Sequence, residues 1–118
     1  SVVYTHPEIA SVGLSEQQAL EAGHDIRTGR YPFSANGRAR CMNDTEGFVK
    51  IIAENKTDRL LGAHIIATHA GDLLQELVTT MAFRGNVEDI ALTIHAHPTL
   101  SESVKEAALD ARGEAVHM

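Results

Sequence analysis

The sequence predicts an α+β domain in which an antiparallel sheet packs against helices. The first half of the 118-residue chain contains two apolar, β-prone runs, residues 47–54 and 59–67, separated by the polar turn 55–58. Both runs are apolar on two faces, which indicates central strands covered by other elements. The second half carries apolar residues at helical spacing. Strands that come first and helices that follow are typical of the α+β class.

The first half also predicts one helix. Ser15 and Gln18 stand three residues apart, as in a capping box, and Gly23 follows as a C-terminal stop. We therefore expect a helix that begins at Ser15 and ends at Gly23. The other segments are predicted as a short β-prone run at 2–5 that Pro7 ends, a strand at 25–33 and a loop at 34–44.

Three helices are predicted in the second half. Residues 69–84 form the longest, which Gly85 ends, and residues 100–111 form the last. Asn86 caps a shorter helix between them. The apolar stripe of that short helix is Val87, Ile90, Ala91 and Ile94.

The composition excludes some partners. Lys and Arg total 10 and Asp and Glu total 16, which gives a net charge of −6. Nucleic acid is not expected as a partner, because phosphate binding needs clustered basic side chains. No apolar stretch approaches the roughly 20 residues that span a bilayer, so no membrane is expected. A lone cysteine, Cys41, cannot form an intrachain disulfide, which fits a reducing compartment.

The N-terminus has neither the charged region nor the apolar region of a signal peptide. It begins without Met in a strand-like run. We interpret that start as the boundary of a fragment.

The segment HAHPTLSE, residues 95–102, carries the residues best suited to chemistry. Pro98 keeps the backbone of His97 out of the α region, just before a helix begins. Glu102 stands in the first turn of that helix. A histidine held beside a carboxylate is a plausible base with its orienting partner, because the carboxylate fixes the tautomer and stabilises the imidazolium.

Two other interpretations of this segment stay open. Thr99 and Glu102 also fit a capping box, and an acidic residue in a first turn suits the helix dipole. Alternatively, His95, His97 and Glu102 could bind a metal ion. No further His or Cys stands at the usual ligand spacing, so no metal site is predicted.

Several segments together resemble the dihydrolipoamide dehydrogenases, which belong to the flavin-dependent pyridine nucleotide-disulfide oxidoreductases. HAHPTLSE followed by EAAL resembles their C-terminal active-site stretch, and YTHPEIASVGLSEQQA is similar to their entry into the interface domain. PFSANGRAR, GFVKIIA and LLGAHIIA are similar to the central region, and the ending EAVHM to the tail. The resemblance covers the whole chain. Glutathione reductase relatives share a His-Pro-Thr element, but Leu100 and the EAVHM ending favour the lipoamide enzymes.

The resemblance implies roles for individual residues. The histidine directly before the proline is the family's acid/base group, and the carboxylate five residues later orients it, so His97 and Glu102 are the expected catalytic residues. The family's histidine reaches across a two-fold dimer toward the redox disulfide and flavin of the partner subunit. The backbone at His97 and Pro98 is therefore expected to lie near the partner's flavin.

The resemblance also implies an assembly. Residues 1–118 would be a C-terminal dimerisation domain, with the FAD- and NAD-binding domains absent from this chain. The sequence itself has no G-x-G-x-x-G fingerprint and no second cysteine for a redox pair. The full-length enzyme would use FAD and NAD, form a homodimer and oxidise the dihydrolipoyl domains of 2-oxo acid dehydrogenase complexes. It would work in a bacterial cytoplasm or the mitochondrial matrix. The isolated chain is expected to be inactive and to bind neither cofactor.

Three alternatives for function remain at this stage. The chain could be the same domain of a related disulfide reductase, such as a glutathione reductase. It could be a non-catalytic dimerisation module in which His97 and Glu102 only shape a helix end. It could also be a metal-binding module built on histidines.

Overall fold

The computed structural model describes residues 1–3 and 7–113, and within them five strands form one antiparallel sheet in the order β1-β2-β5-β4-β3. The strands are β1 (Val2–Val3), β2 (Glu8–Gly13), β3 (Ile26–Pro32), β4 (Phe48–Glu54) and β5 (Leu60–Ala67). The helices are α1 (Glu16–Glu21), α2 (Gly37–Cys41), α3 (Ala70–Ala82), α4 (Val87–Leu92) and α5 (Glu102–Ala111), with a 3-10 turn at Phe33–Ala35. The α+β class is confirmed.

The predicted hairpin of β4 and β5 is the centre of the sheet. Val49 pairs with Ile65 and Ile51 with Ala63, with a register shift after Ile52. β3 and β2 extend the sheet on either side. Both faces of this hairpin are apolar because helices cover each of them.

The two faces of the sheet pack against different helices. Val49 and Ile51 belong to the main core, to which α3, α4 and α5 contribute their apolar sides. Ile52 points the opposite way and packs with Leu61 and with Ala19 of α1. Alternate residues of a strand face opposite sides, so a strand covered on both sides must be apolar throughout.

The predicted helix starts are confirmed. The Ser15 hydroxyl accepts the Gln18 N–H at 3.1 Å, and the Gln18 side chain accepts the Ser15 N–H at 3.0 Å. Asn86 and Asp89 form the same reciprocal pair at the start of α4. At the end of α1, Gly23 takes a φ of 87°, the left-handed conformation that glycine tolerates best.

The prediction of a loop at 34–44 is wrong. This stretch contains the 3-10 turn Phe33–Ala35 and the helix α2. Asn36 follows the 3-10 turn and is the N-cap of α2. Its side-chain oxygen caps the helix by accepting the Ala39 N–H at 2.8 Å. The helix α2 is short and mostly polar, so its sequence lacks the apolar periodicity by which longer helices are predicted.

The sequence also gave no sign of β2. Its core-facing residues are the small Ala10 and the partly buried Val12, whereas the larger Ile9 on the other side is 47% exposed, so the usual alternation is hidden. Pairing with β5 along its whole length stabilises it. The rest of the predicted run at 2–5, and the EAVHM ending, lie outside the described residues.

The ends of two helices differ from prediction. Arg84, not Gly85, takes the left-handed conformation after α3, with a φ of 57°. α4 ends at Leu92, and Ile94 is 92% exposed rather than part of its buried stripe. No helix among the described residues is both long enough and apolar enough to cross a membrane.

Gly29→Ala should destabilise the fold. Gly29 lies in β3 where α5 crosses it, and a Cβ there would stand 2.1 Å from the Ala107 carbonyl oxygen and 2.4 Å from the Ala111 nitrogen. Both are backbone atoms, so the helix must move. Overpacking of this kind costs about 1–3 kcal/mol, which urea unfolding would measure.

Gly37→Ala is the matched control for this substitution. A Cβ at Gly37 meets nothing within 4 Å, and the residue is the first of α2. We expect no loss of stability, and a gain of up to about 1 kcal/mol from helix propensity. Equal stability of the two variants would contradict the packing described here.

Candidate functional site at the His97–Glu102 pair

The predicted site lies between α4 and α5. His97 and Pro98, joined by a cis peptide bond, belong to the segment 93–101 that connects the two helices. Glu102 is the first residue of α5. The backbone turn at Pro98 therefore brings the imidazole back over the start of the helix, where the carboxylate lies.

The structure brings His97 and Glu102 together as predicted. Nδ1 of His97 lies 3.0 Å from Oε1 and 2.9 Å from Oε2 of Glu102. An ionised carboxylate only accepts hydrogen bonds, so Nδ1 must be the donor. In the neutral ring the other nitrogen, Nε2, is then the basic one.

The imidazole of His97 points outward. Its side chain is 78% exposed, whereas that of Glu102 is 28% exposed. Nε2 of His97 forms no hydrogen bond with any residue from 1–3 or 7–113. The carboxylate thus anchors one side of the ring and leaves the basic nitrogen available to another molecule.

Glu102 also holds the backbone at the start of α5. Its Oε1 accepts the Thr99 N–H at 2.9 Å, which is half of the capping box that the sequence predicted. The other half is not formed, because the Thr99 hydroxyl donates to the Ala96 carbonyl at 2.7 Å. The carboxylate therefore serves as a backbone acceptor and as the partner of His97 at once.

The surroundings of Glu102 favour its ionised form. Burial by itself raises the pKa of this carboxyl. The hydrogen bonds from His97 and Thr99 outweigh burial, with a contribution from the charges of His97 and His95, so the pKa lies below its usual value. Glu102 is consequently a carboxylate throughout the neutral range, ready to stabilise a positive charge on the ring.

His95 does not join this pair. Its Nε2 lies 2.7 Å from a carboxylate oxygen of Glu76 in α3, and its Nδ1 lies 2.9 Å from the Thr93 carbonyl. Both ring nitrogens are used, and the side chain is only 6% exposed. No group of three or more His, Cys, Asp or Glu that could hold a metal ion occurs in the described part of the chain. The geometry gives the metal alternative no support.

A cavity of about 260 Å³ opens beside the pair. Sequence reasoning missed the residues of its inner wall. Glu106 follows Glu102 at the i+4 position and so shares its helix face, a relation that the spacing could have shown. Nothing in the sequence singles out Tyr31. The full lining is Tyr31, Ala35, Asn36, Gly37, His97, Glu102 and Glu106.

Polar and acidic side chains line much of this cavity. Burial raises the pKa of the Tyr31 hydroxyl, and the negative charges of Glu106 and Glu102 raise it further. This hydroxyl donates to the Ala35 carbonyl at 2.8 Å. Tyr31 therefore remains a neutral hydrogen-bonding group near neutral pH.

Comparison with known proteins gives a consistent group of relatives. The chain is 52% identical over 118 residues to the mitochondrial dihydrolipoyl dehydrogenase of Dictyostelium discoideum, covering 100% of this chain and 24% of that protein. It is 53% identical over 108 residues to the leghemoglobin reductase of Glycine max, covering 92% of this chain and 21% of that protein. It is 45% identical over 116 residues to dihydrolipoyl dehydrogenase 3 of Pseudomonas aeruginosa, covering 98% of this chain and 25% of that protein.

Solved structures show the same fold. The HOCl-induced flavoprotein disulfide reductase RclA of Escherichia coli matches with a TM-score of 0.87 and 34% identity, covering 92% of this chain and 25% of that chain. LpdA of Mycobacterium tuberculosis matches with a TM-score of 0.85 and 32% identity, covering 92% of this chain and 24% of that chain.

The chain spans about a quarter of the length of the relatives it matches. The family model for the pyridine nucleotide-disulphide oxidoreductase dimerisation domain matches residues 1–108, which include the sheet, the helix α3 and the His97–Glu102 pair. The chain belongs to the dimerisation-domain family of the pyridine nucleotide-disulphide oxidoreductases.

Proposed function

We propose that residues 1–118 are the C-terminal dimerisation domain of a dihydrolipoyl dehydrogenase and that His97 and Glu102 are its acid/base pair. In this proposal the pair acts at the flavin–disulfide site of the partner subunit in a homodimer. The observation that carries it is the outward Nε2 of His97, opposite an Nδ1 that a carboxylate holds at 2.9 Å. The similarity to dihydrolipoyl dehydrogenases over the full chain supports the substrate class.

The chemistry asked of His97 is proton transfer. A dihydrolipoyl thiol must lose its proton before its sulfur can attack a disulfide, because the thiolate is the nucleophile. Nε2 of His97 takes that proton, and Glu102 stabilises the imidazolium that forms. The lipoyl thiolate attacks one sulfur of the partner's disulfide and forms a mixed disulfide, and the other sulfur leaves as a thiolate. The second lipoyl thiol gives its proton to that thiolate and attacks the lipoyl sulfur of the mixed disulfide. The cyclic lipoyl disulfide is released, and the partner keeps one thiol and one thiolate while His97 holds the first proton. In the reverse direction the imidazolium returns the proton.

FAD and NAD would be held by other domains of the full-length protein, where they would supply the acceptors for the two electrons of the reduced cysteine pair. The residues of this chain fit a supporting role. His97 and Pro98 are exposed, so their backbone can approach a flavin on a second subunit. The domain contributes a proton acceptor and a surface, while the partner contributes the redox groups.

The dihydrolipoyl domain of a 2-oxo acid dehydrogenase complex is the proposed substrate carrier. The proposed location is the mitochondrial matrix or a bacterial cytoplasm, since the relatives include mitochondrial proteins and one from Pseudomonas.

The proposed dimer surface includes α3 and the segment around His97. Large apolar side chains are exposed at the ends of α3 and α4: Phe83 is 83%, Leu92 67% and Ile94 92% exposed. Large apolar side chains exposed on helices are candidates for a protein–protein surface. An isologous contact would place the same surface of two chains face to face.

A related disulfide reductase is the second candidate. The likeness to RclA, at 34% identity and a TM-score of 0.87, favours it. Both candidates use the same domain, and they differ in the substrate that the partner site accepts. Turnover of dihydrolipoamide separates them.

His97→Gln in the full-length protein should lower the rate of dihydrolipoamide oxidation. Gln keeps a hydrogen-bonding side chain but cannot take a proton near pH 7. A positioned general base contributes about 10²–10⁴ in rate, so we expect a loss of that size in steady-state assays. Transfer from NADH to an artificial acceptor should fall much less, because it requires no thiol deprotonation.

Glu102→Gln is the matched control. Gln can still accept the Thr99 N–H, so a purely structural Glu102 would tolerate this change. Under the proposal the variant is slower than the wild type but faster than His97→Gln. Wild-type turnover of Glu102→Gln would reduce Glu102 to a helix cap, and wild-type turnover of His97→Gln would remove the acid/base assignment.

The chain should form a symmetric dimer at tens of micromolar, and Ile94→Asp should shift it toward monomer. A charge cannot be buried in an apolar contact without a large cost. Sedimentation velocity measures the shift. Leu20→Asp is the control, because Leu20 is 56% exposed on α1, which covers the opposite face of the sheet. A wild-type chain that stays monomeric, or equal effects of both substitutions, would contradict the proposed surface.

A further inference from the structure

We infer that Asn36 is a positioning residue that holds the His97–Glu102 pair in register from the other side of the cavity. The inference rests on the proposed function, since it concerns the geometry of the same acid/base pair. Asn36 lies between the 3-10 turn and α2, far from His97 in sequence. The fold nevertheless places it against the segment that carries the pair.

The side chain of Asn36 makes three hydrogen bonds, which use both N–H groups of the amide and one acceptor position of its oxygen. Its Nδ2 donates to the Thr99 carbonyl at 2.9 Å and to the Ser103 hydroxyl at 2.8 Å. Its Oδ1 accepts the Ala39 N–H at 2.8 Å. Asn36 thus joins the start of α2, the segment after Pro98 and the first turn of α5.

These bonds lie in the interior of the domain. Asn36 is 3% exposed and Ser103 is 0% exposed, and they are the buried polar residues among those that the structure describes. A buried amide must be fully bonded to avoid a large desolvation penalty. Its orientation is therefore fixed, and so is the position of the Thr99 carbonyl that it holds.

Thr99 links Asn36 to the pair. Its carbonyl oxygen accepts from Asn36, and its N–H donates to Oε1 of Glu102 at 2.9 Å. Glu102 in turn accepts from Nδ1 of His97. The side chain of Asn36 therefore fixes the peptide group after Thr99, and the side chain of Glu102 fixes the peptide group before it. Glu102 is also the partner of His97.

The N-cap residue of α5 makes no side-chain hydrogen bond that could substitute for the bonds of Asn36 and Glu102 with Thr99. Ser101 occupies the N-cap position without a hydrogen bond to the helix backbone, and its hydroxyl lies 2.9 Å from the Thr99 hydroxyl instead. Thr99 is held by the bond from Asn36 to its carbonyl and by the bond from its N–H to Glu102, and Ser103 is a second partner of Asn36. Loss of the Asn36 amide should therefore loosen the pair before it unfolds the domain.

Asn36→Ser in the 118-residue chain tests this inference. Serine is a good N-cap, so α2 should remain, but serine lacks the amide donors for Thr99 and Ser103. The readout is the pKa of the Glu102 carboxyl, followed by 13C NMR of the side-chain carboxyl. We expect it to rise toward its usual value in Asn36→Ser, because the bonds that lower it are formed less often.

Ser103→Ala is the matched control. It removes one partner of Asn36 but leaves the bond to Thr99, so it should lower the stability and leave the Glu102 pKa unchanged. A residue with only a structural role would give the same result in both variants. An unchanged Glu102 pKa in Asn36→Ser would overturn the inference.

Two further measurements keep the outcome clear. His97→Ala must raise the Glu102 pKa if the pair exists, so an unchanged value there would count against the proposed function and not only against the role of Asn36. Hydrogen exchange of the Asn36 side-chain amide in the wild type requires no variant. It should be much slower than that of the exposed Asn43, and equally fast exchange would overturn the inference even if Asn36→Ser fails to fold.

Discussion

The carboxylate of Glu102 bonds to two groups on either side of Pro98: the imidazole of His97 before it and the N–H of Thr99 after it. The connection between α4 and α5 takes its shape around this carboxylate. If it moved, the Thr99 N–H would lose its acceptor and His97 would lose the anchor at Nδ1. The same atoms therefore determine the local fold and the orientation of the exposed ring, so the backbone contact of Glu102 is compatible with the proposed acid/base role.

The sheet determines where that carboxylate lies. β4 and β5 are covered on both faces, and α5 crosses β3 at Gly29, where no side chain would fit between strand and helix. This close approach, at Ala107 and Ala111, fixes the later part of α5 against the middle of β3. The helix carries Glu102 at its other end, and Asn36 follows β3 after the 3-10 turn. The buried bonds of Asn36 and the carboxylate of Glu102 then hold the segment after Pro98 from two sides.

The sequence predicted those parts of the fold that depend on local pattern. The hairpin, the capping pair at Ser15, the cap at Asn86 and the pairing of His97 with Glu102 all follow from spacing or resemblance. The short helix α2 and the strand β2 could not be predicted, because both depend on partners distant in sequence. Asn36 shows the reason most clearly. Asn36 and Gly37 are residues typical of a turn, and the Asn36 amide is buried and bonded only because the fold brings Thr99 against it.

The orientation of the proton on His97 is the most direct test of this account. Nitrogen-15 NMR of the wild-type chain, at a pH where the ring is neutral, distinguishes the two tautomers by the shifts of the ring nitrogens. The bond to Glu102 predicts a proton on Nδ1 and a free lone pair on Nε2, directed away from the domain. A proton on Nε2 would mean that the carboxylate does not hold the ring, and that His97 is not a base oriented by Glu102.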